Sequence, residues 1–162
     1  MNAPLFPVGI EAFKAQFEFR DFQAKDVLEL EGGIRVRTGT LNHPGGATGY
    51  RLECGGRSVA YLTDTEHQAS RLDPSVLALA KGADLMIYDC TYTDEEFANY
   101  IGWGHSTWQQ AIRLAEAAGA RRVAIFHHDP DHDDNFLDGV EAAAREARAG
   151  AFVAREGLEL RI

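Results

Sequence analysis

The chain has 162 residues, 45% of them hydrophobic and 25% charged, with a formal net charge of −9 at pH 7. This length fits one domain with a sizeable core, and the composition is ordinary for a globular protein. The acidic excess argues against a broad nucleic-acid surface, because such surfaces use Lys and Arg to neutralise phosphates. No run approaches the roughly 20 apolar residues of a membrane span, and residues 1–10 lack the basic start of a signal peptide. We therefore expect a single cytoplasmic domain, residues 1–162, with no membrane partner.

Strand patterns dominate the first part of the chain. Phenylalanines alternating with polar residues over 17–22 predict a first strand, and apolar residues on both sides of Gly32-Gly33 predict two more strands joined by a tight turn. Alternating residues around Gly55-Gly56 predict a β-hairpin over residues 48–63. The beginning of the chain is therefore expected to form a meander of antiparallel strands.

Helices and strands alternate from Asp73 onward. Asp73-Pro74 predicts the start of a helix that ends at Gly82, and Ser106 with Gln109 forms a capping-box pattern ahead of a second helix. The remaining predicted elements are buried strands at 85–88 and 123–126, a helix from about 136 to 150, and short strands near 151–154 and 158–162. A β-rich beginning followed by such units predicts an α/β (α+β) fold with helices on the outer face of an antiparallel or mixed sheet.

Three metal-capable side chains stand where predicted strands give way to loops: His43, Asp64 and His127. Functional sites are often found at strand ends, because the loops there can vary in sequence while the sheet holds their first and last residues in place. Neutral imidazole and carboxylate are ordinary zinc ligands. Each residue also has a plain alternative: a solvated loop histidine, a turn aspartate, and the first member of an acidic loop that caps the next helix.

A fourth candidate, His105, lies beside a predicted helix start, where backbone N–H groups favour an anion. Its imidazole could hold a phosphate oxygen or give a proton to a leaving group. The alternative is a histidine packed beside Trp103 or Trp108. Asp89, which ends its own predicted strand, could orient His105 through a hydrogen bond.

Four strings in this order carry a family resemblance: His43 ahead of Gly49-Tyr50, Thr63-Asp64-Thr65, Gly104-His105-Ser106-Thr107, and a strand that ends in His127. Over about residues 40–130 the sequence resembles the metallo-β-lactamase fold family, in its phosphodiesterase and tRNA 3′-processing branch. The resemblance implies a hydrolase with two zinc ions, of which His43 binds one, Asp64 bridges both and His127 binds the second. It also implies that His105 acts at the scissile phosphate, so that His105 and Asp64 are the catalytic candidates.

Members of that family carry an H-x-H-x-D-H string, which this sequence lacks. The resemblance therefore implies an αββα sandwich truncated to its second half. Three donors divided between two metals complete neither coordination sphere, and half a sandwich leaves one face or edge of its sheet uncovered. We expect a second copy, a partner chain or an omitted N-terminal segment to cover it.

Three functions fit these observations. The first is the C-terminal part of a zinc-dependent hydrolase that acts on a small anionic substrate, a phosphodiester or a related ester. The second is a non-catalytic binding or interaction module that keeps the fold and has lost its metals. The third uses His128-Asp129 as the metal dipeptide of an HD-type phosphohydrolase. It is disfavoured because that dipeptide belongs on a helix, whereas here it precedes a proline.

Overall fold

The computed structural model describes residue 9 and residues 12–162. In this part of the chain, seven strands form one mixed sheet and lie side by side in chain order. They are β1 (Val27–Leu30), β2 (Ile34–Leu41), β3 (Ala47–Cys54), β4 (Arg57–Leu62), β5 (Leu85–Asp89), β6 (Arg122–Phe126) and β7 (Ala151–Val153). Strands β1 to β4 pair antiparallel, and β4 to β7 pair parallel. The helices are α1 (Pro74–Ala80), α2 (Asp94–Phe97), α3 (Trp108–Ala118) and α4 (Asp134–Ala147).

The main core lies between the sheet and helices α1, α3 and α4. Alternate residues of the central strands point into it, among them Leu62, Met86 and Ile125, which are fully buried. The opposite face carries a smaller cluster around Leu85 and Phe152, and it leaves large side chains such as Tyr61 exposed. Helices therefore cover one face of the sheet, as the sequence pattern predicted.

Several predicted elements are confirmed at the residues that predicted them. The hairpin over 48–63 is β3 and β4, and the tight turn contains Gly32 and Gly33 at φ 75°. The Asp73 carboxylate accepts hydrogen bonds from the backbone N–H groups of Ser75 and Val76, as an N-cap residue does. None of the helices in the described part of the chain combines the length and apolar character needed to cross a bilayer.

Other predictions are wrong. Residues 17–22 and 158–162 form no strand, because alternation alone does not supply a paired neighbour. Helix α3 is capped by Thr107, whose hydroxyl accepts from Gln110 N–H, and not by Ser106, whose hydroxyl is 3.2 Å from the Tyr88 hydroxyl. Helix α2 was missed, although Thr93 and Glu96 form its capping box.

Candidate metal centre

Three parallel strands bring their carboxyl ends to one edge of the sheet. Asp64 lies two residues after β4, Asp89 is the last residue of β5, and His127 follows β6 directly. Neighbouring parallel strands end side by side, so the positions that the sequence analysis selected converge. The Asp64 Oδ1 atom lies 3.7 Å from His127 Nε2.

Asp64 and His127 have a left-handed backbone, with φ of 62° and 64°. Such a conformation costs a residue other than glycine about 1–3 kcal/mol, so it persists only where the surroundings hold it. Here the Asp64 N–H donates to Asp89 Oδ2 at 2.9 Å, and the Thr91 hydroxyl donates to the His127 carbonyl oxygen at 2.7 Å. Strain that hydrogen bonds maintain at the ends of β4 and β6, on either side of β5, is typical of a functional site.

The Asp89 carboxylate is fully buried and acts as the anchor of this edge. Its Oδ2 accepts from the backbone N–H of Asp64 at 2.9 Å and from His105 Nδ1 at 3.0 Å. Its Oδ1 accepts from the backbone N–H groups of Ser106 at 3.0 Å and Thr91 at 3.3 Å. Because protein donors already occupy both oxygens, we interpret Asp89 as a positioning group and not as a metal ligand, although its distances alone would allow ligation.

His105 stands between the other two histidines. Its ring centroid lies 5.7 Å from that of His43 and 5.0 Å from that of His127. The hydrogen bond from its Nδ1 to Asp89 raises the pKa of His105 above the usual imidazole range, because the carboxylate favours the charged ring. The bond also leaves Nε2 as the atom that can meet a ligand or exchange a proton. The predicted orientation of His105 by Asp89 is thus present.

His43 lies in the loop after β2 and faces the loop that leads to His105. The Gly45 N–H donates to its Nδ1 at 3.2 Å. Donor atoms of His43, Asp64 and His105 all lie within 4.8 Å of one another, and so do those of Asp89, His105 and His127. Asp64 therefore lies beside both His43 and His127, where a carboxylate can contact two ions. The donor set, imidazole nitrogen with carboxylate oxygen, fits zinc.

Sequence reasoning missed Glu66 and Asn42, which join the loops around the centre. The Glu66 N–H donates to the Asn42 carbonyl at 2.8 Å, and the Asn42 amide donates back to the Glu66 carbonyl at 3.0 Å. The Glu66 carboxylate accepts from the N–H groups of Gly102 at 2.6 Å and Gly104 at 3.1 Å. Only the short polar string around Asp64 could have drawn attention to Glu66.

The other histidines of the described chain lie outside these donor groups. His132 Nε2 is 2.9 Å from Glu96 Oε1, and its ring stacks on Phe136. His67 Nδ1 is 2.8 Å from the Ser106 hydroxyl. His128 is half-buried, and its side chain takes no part in either group. Its position supports the choice of His127 over His128 as the candidate ligand.

Gly104 makes room for His43. A Cβ atom at Gly104, where φ is 92°, would lie 2.2 Å from His43 Cδ2, whereas one at Gly102, where φ is 91°, would meet nothing within 4 Å. We expect Gly104→Ala and Gly102→Ala each to lose about 1–3 kcal/mol of stability through backbone strain, and only Gly104→Ala to displace His43. Under the zinc binding proposed below, only Gly104→Ala should then weaken the affinity for zinc. Urea unfolding and zinc titration measure the two effects, and equal zinc affinity in both variants would contradict the steric explanation.

A family model described as a beta-lactamase superfamily domain matches residues 9–128. The chain belongs to this superfamily. A ribonuclease Z of Gemmatimonas aurantiaca is 34% identical over 107 residues, which are 66% of this chain and 32% of that protein. The metallo-beta-lactamase fold protein YhfI of Bacillus subtilis superposes with a TM-score of 0.68 at 23% identity, over 85% of this chain and 53% of the other. The short form of human tRNase Z gives a TM-score of 0.61 at 19% identity, over 82% of this chain and 44% of the other.

These comparisons confirm the predicted superfamily and the predicted fold. The chain spans about a third of the length of the Gemmatimonas relative and about half of the YhfI chain. The superfamily resemblance carries the expectation of zinc, and the clustered histidine and aspartate side chains agree with that expectation.

The expectation of a small anionic or ester substrate, with no broad nucleic-acid surface, is wrong. The curated relatives are named ribonucleases, whose substrate is a nucleic acid. Net charge misled the prediction for a physical reason. Bound cations dominate the local field at a phosphate-cleaving site whatever the charge of the whole chain, and the charge of −9 describes a chain that spans only part of these relatives.

Proposed function

We propose that this chain supplies one side of a zinc centre that hydrolyses a phosphodiester bond of RNA. The observation that carries the proposal is the Asp64 carboxylate, placed beside both His43 and His127 at one edge of the sheet. The names of the relatives support RNA as the substrate class. Residues 1–162 act in this proposal as one domain.

His43, Asp64 and His127 would hold zinc, with Asp64 shared between two ions. When bound, zinc supplies the Lewis acidity that activates water and offsets the negative charge of the phosphate. The remaining ligands would come from outside these three residues, because a catalytic zinc site takes about three protein ligands for each ion. The chain's own contribution is to fix these donors on a rigid sheet edge.

His105 would exchange a proton with the reacting phosphodiester. Its Nδ1 is held by Asp89 at 3.0 Å, so Nε2 is the atom that can protonate the ribose oxygen released when the P–O bond breaks. Water supplies the oxygen that bonds to phosphorus, and the proton from His105 neutralises the leaving oxygen. The proton that the water gives up passes to solvent, from which His105 regains its own. A buried carboxylate behind a histidine is the usual way to fix the direction of such a transfer.

Zinc binding separates this proposal from the alternative, a binding module that has lost its metals. We expect zinc to bind when the other side of the centre is supplied, and Asp64→Ala to weaken that binding by more than about 100-fold. Residues that only contact a metal ligand already contribute about 10–100-fold to metal affinity, and Asp64 is proposed as a ligand itself. Isothermal titration with zinc and metal analysis of the dialysed protein measure this. His132→Ala is the matched control, because His132 is a nearby histidine that is paired with Glu96.

Two outcomes would favour the metal-free module. One is the absence of zinc binding even when the other side of the centre is supplied, and the other is an Asp64→Ala variant that binds zinc as well as His132→Ala does. Zinc-dependent cleavage of RNA is the direct test of activity. If the completed, zinc-loaded centre released no product from RNA, the proposed RNA hydrolysis would be excluded.

A further inference from the structure

Two large apolar side chains stand in solvent next to the candidate metal centre. They belong to the segment of residues 100–104, called here the rim loop, in which Ile101 is 66% exposed and Trp103 61% exposed. Ile101 and Trp103 are two residues apart in the loop, and large apolar side chains exposed near a candidate site can mark a ligand contact. The question is what such a site would bind.

The rim loop is held in place, so its indole is a fixed surface. The Glu66 carboxylate accepts from the backbone N–H groups of Gly102 and Gly104, and the backbone N–H of Trp103 donates to the Tyr100 carbonyl at 3.1 Å. The Tyr100 ring meets the Trp103 ring edge to face at 5.4 Å, and it stacks in parallel on Tyr92 at 4.2 Å. A rigid aromatic side chain loses little conformational entropy when a ligand stacks on it.

The rim loop also leads directly into His105, the candidate proton donor. Gly104 directly follows Trp103 and lies so close to His43 that any Cβ there would overlap the imidazole. His105 comes next, and its ring meets Tyr92 at 6.4 Å. Since consecutive Cα atoms are only about 3.8 Å apart, the Cα atoms of Trp103 and His105 are separated by no more than about 7.6 Å. The platform residue and the proposed catalytic histidine therefore lie on the same short stretch of backbone.

We propose that Trp103 is a stacking platform for an unpaired base of the RNA next to the cleaved phosphodiester. This inference rests on the proposed function and identifies a contact that selects nucleic acid. The carboxylates of Asp64, Glu66 and Asp89 surround the centre, so flanking phosphates gain no attraction from them. Base faces are uncharged, and stacking on an aromatic ring is a common way of holding single-stranded RNA that tolerates any base.

A thermodynamic cycle tests the platform. The binding of a short single-stranded RNA with cleavage-resistant linkages is measured by fluorescence anisotropy, together with a set of RNAs that each lack one base. Trp103→Ala is expected to weaken binding of the complete RNA by about 10-fold. The RNA without the stacked base should bind equally to the unmutated chain and to Trp103→Ala. Trp103→Phe, which keeps a stacking ring, should retain most of the affinity.

Leu158→Ala is the matched control for the loss of exposed apolar surface. Leu158 is 48% exposed and lines a cleft with Arg122 at the start of β6, the end of that strand opposite His127. It should leave every RNA affinity unchanged. Circular dichroism before each titration establishes that the variants are folded, which is expected because the replaced side chains are exposed.

The outcomes separate the platform from the proposed hydrolysis. Equal weakening of every RNA by Trp103→Ala, or no weakening, overturns the platform even where RNA is cleaved. If the effect of Trp103→Ala disappears only in the RNA that lacks one particular base, the platform is supported, including in a chain that cleaves nothing, in which case hydrolysis alone is lost. A chain that binds none of the RNAs overturns the platform, while zinc titration and the cleavage assay decide the proposed function separately.

Discussion

Replacing Asp89 by asparagine is expected to lower the free energy of unfolding by about 3–5 kcal/mol. Asp64, Ser106 and His105 now donate hydrogen bonds to the Asp89 carboxylate. In the variant, the N–H groups of the new amide would face some of these donors in place of a carboxylate oxygen. Each buried donor that loses its acceptor costs about 1–3 kcal/mol, and hydrogen bonds to charged groups lie at the upper end of that range. The left-handed backbone of Asp64 would lose one of the bonds that hold it.

Asp73→Asn provides the matched control, since it makes the same chemical change at a helix cap. The Asp73 carboxylate accepts from two backbone N–H groups at the start of α1, and asparagine caps helices about as well as aspartate. Its expected cost is therefore within about 0.5 kcal/mol. Urea unfolding followed by circular dichroism compares the two variants. If both were equally stable, the anchoring role of Asp89 would be wrong.

The sequence was most informative for elements that a single local signal determines. Hydrophobic runs and turn residues located β3 to β6, and the Asp73-Pro74 pair located the start of α1. Strand ends selected Asp64 and His127 as candidates, and the structure brings them together because β4 and β6 lie on either side of β5 and all three strands run parallel. His43 was selected in the same way, and His105 was selected because it lies beside the predicted start of α3. The family resemblance then gave each residue a role.

Prediction failed where a distant partner decides the local structure. Ser106 and Thr107 can both cap a helix, and Thr107 takes that role while the Ser106 hydroxyl contacts Tyr88 and His67. The phenylalanines at 17–22 alternate as in a strand, yet Phe19 is 79% exposed and the segment pairs with nothing regular. A sequence pattern does not show whether the folded chain will place a pairing strand beside a segment.

The network around the site was also beyond sequence reasoning. Donors to Asp89 come from three separate segments, and Gly104 contacts a histidine that lies far earlier in the chain. Such contacts depend on the folded arrangement and leave no local signature. The hydrogen bond from His105 to Asp89 was foreseen, because both residues stood at element ends in the sequence.

Under the proposed function, replacing His105 by asparagine is expected to slow RNA cleavage by about 100- to 10,000-fold while zinc stays bound. Proton transfer by a positioned side chain contributes a factor of that size. The asparagine amide can still donate a hydrogen bond to the Asp89 carboxylate, so Asp89 remains hydrogen-bonded at this position. Asparagine, however, has no group that exchanges protons. The measurement is single-turnover cleavage by the zinc-loaded chain, with the zinc content determined in the same sample. His132→Asn, at a histidine paired with Glu96, is the matched control.

The size of the loss should depend on the leaving group, and this dependence separates proton transfer from metal binding. A ribose oxygen is strongly basic and needs a proton as it departs, whereas a nitrophenolate leaves without one. With a nitrophenyl phosphodiester as the probe, His105→Asn should therefore lose much less activity than it does with RNA. An equal loss with both substrates would argue against proton donation. Loss of zinc from the variant would instead make His105 a ligand alongside His43 and Asp64, whose donor atoms lie within 4.8 Å of it.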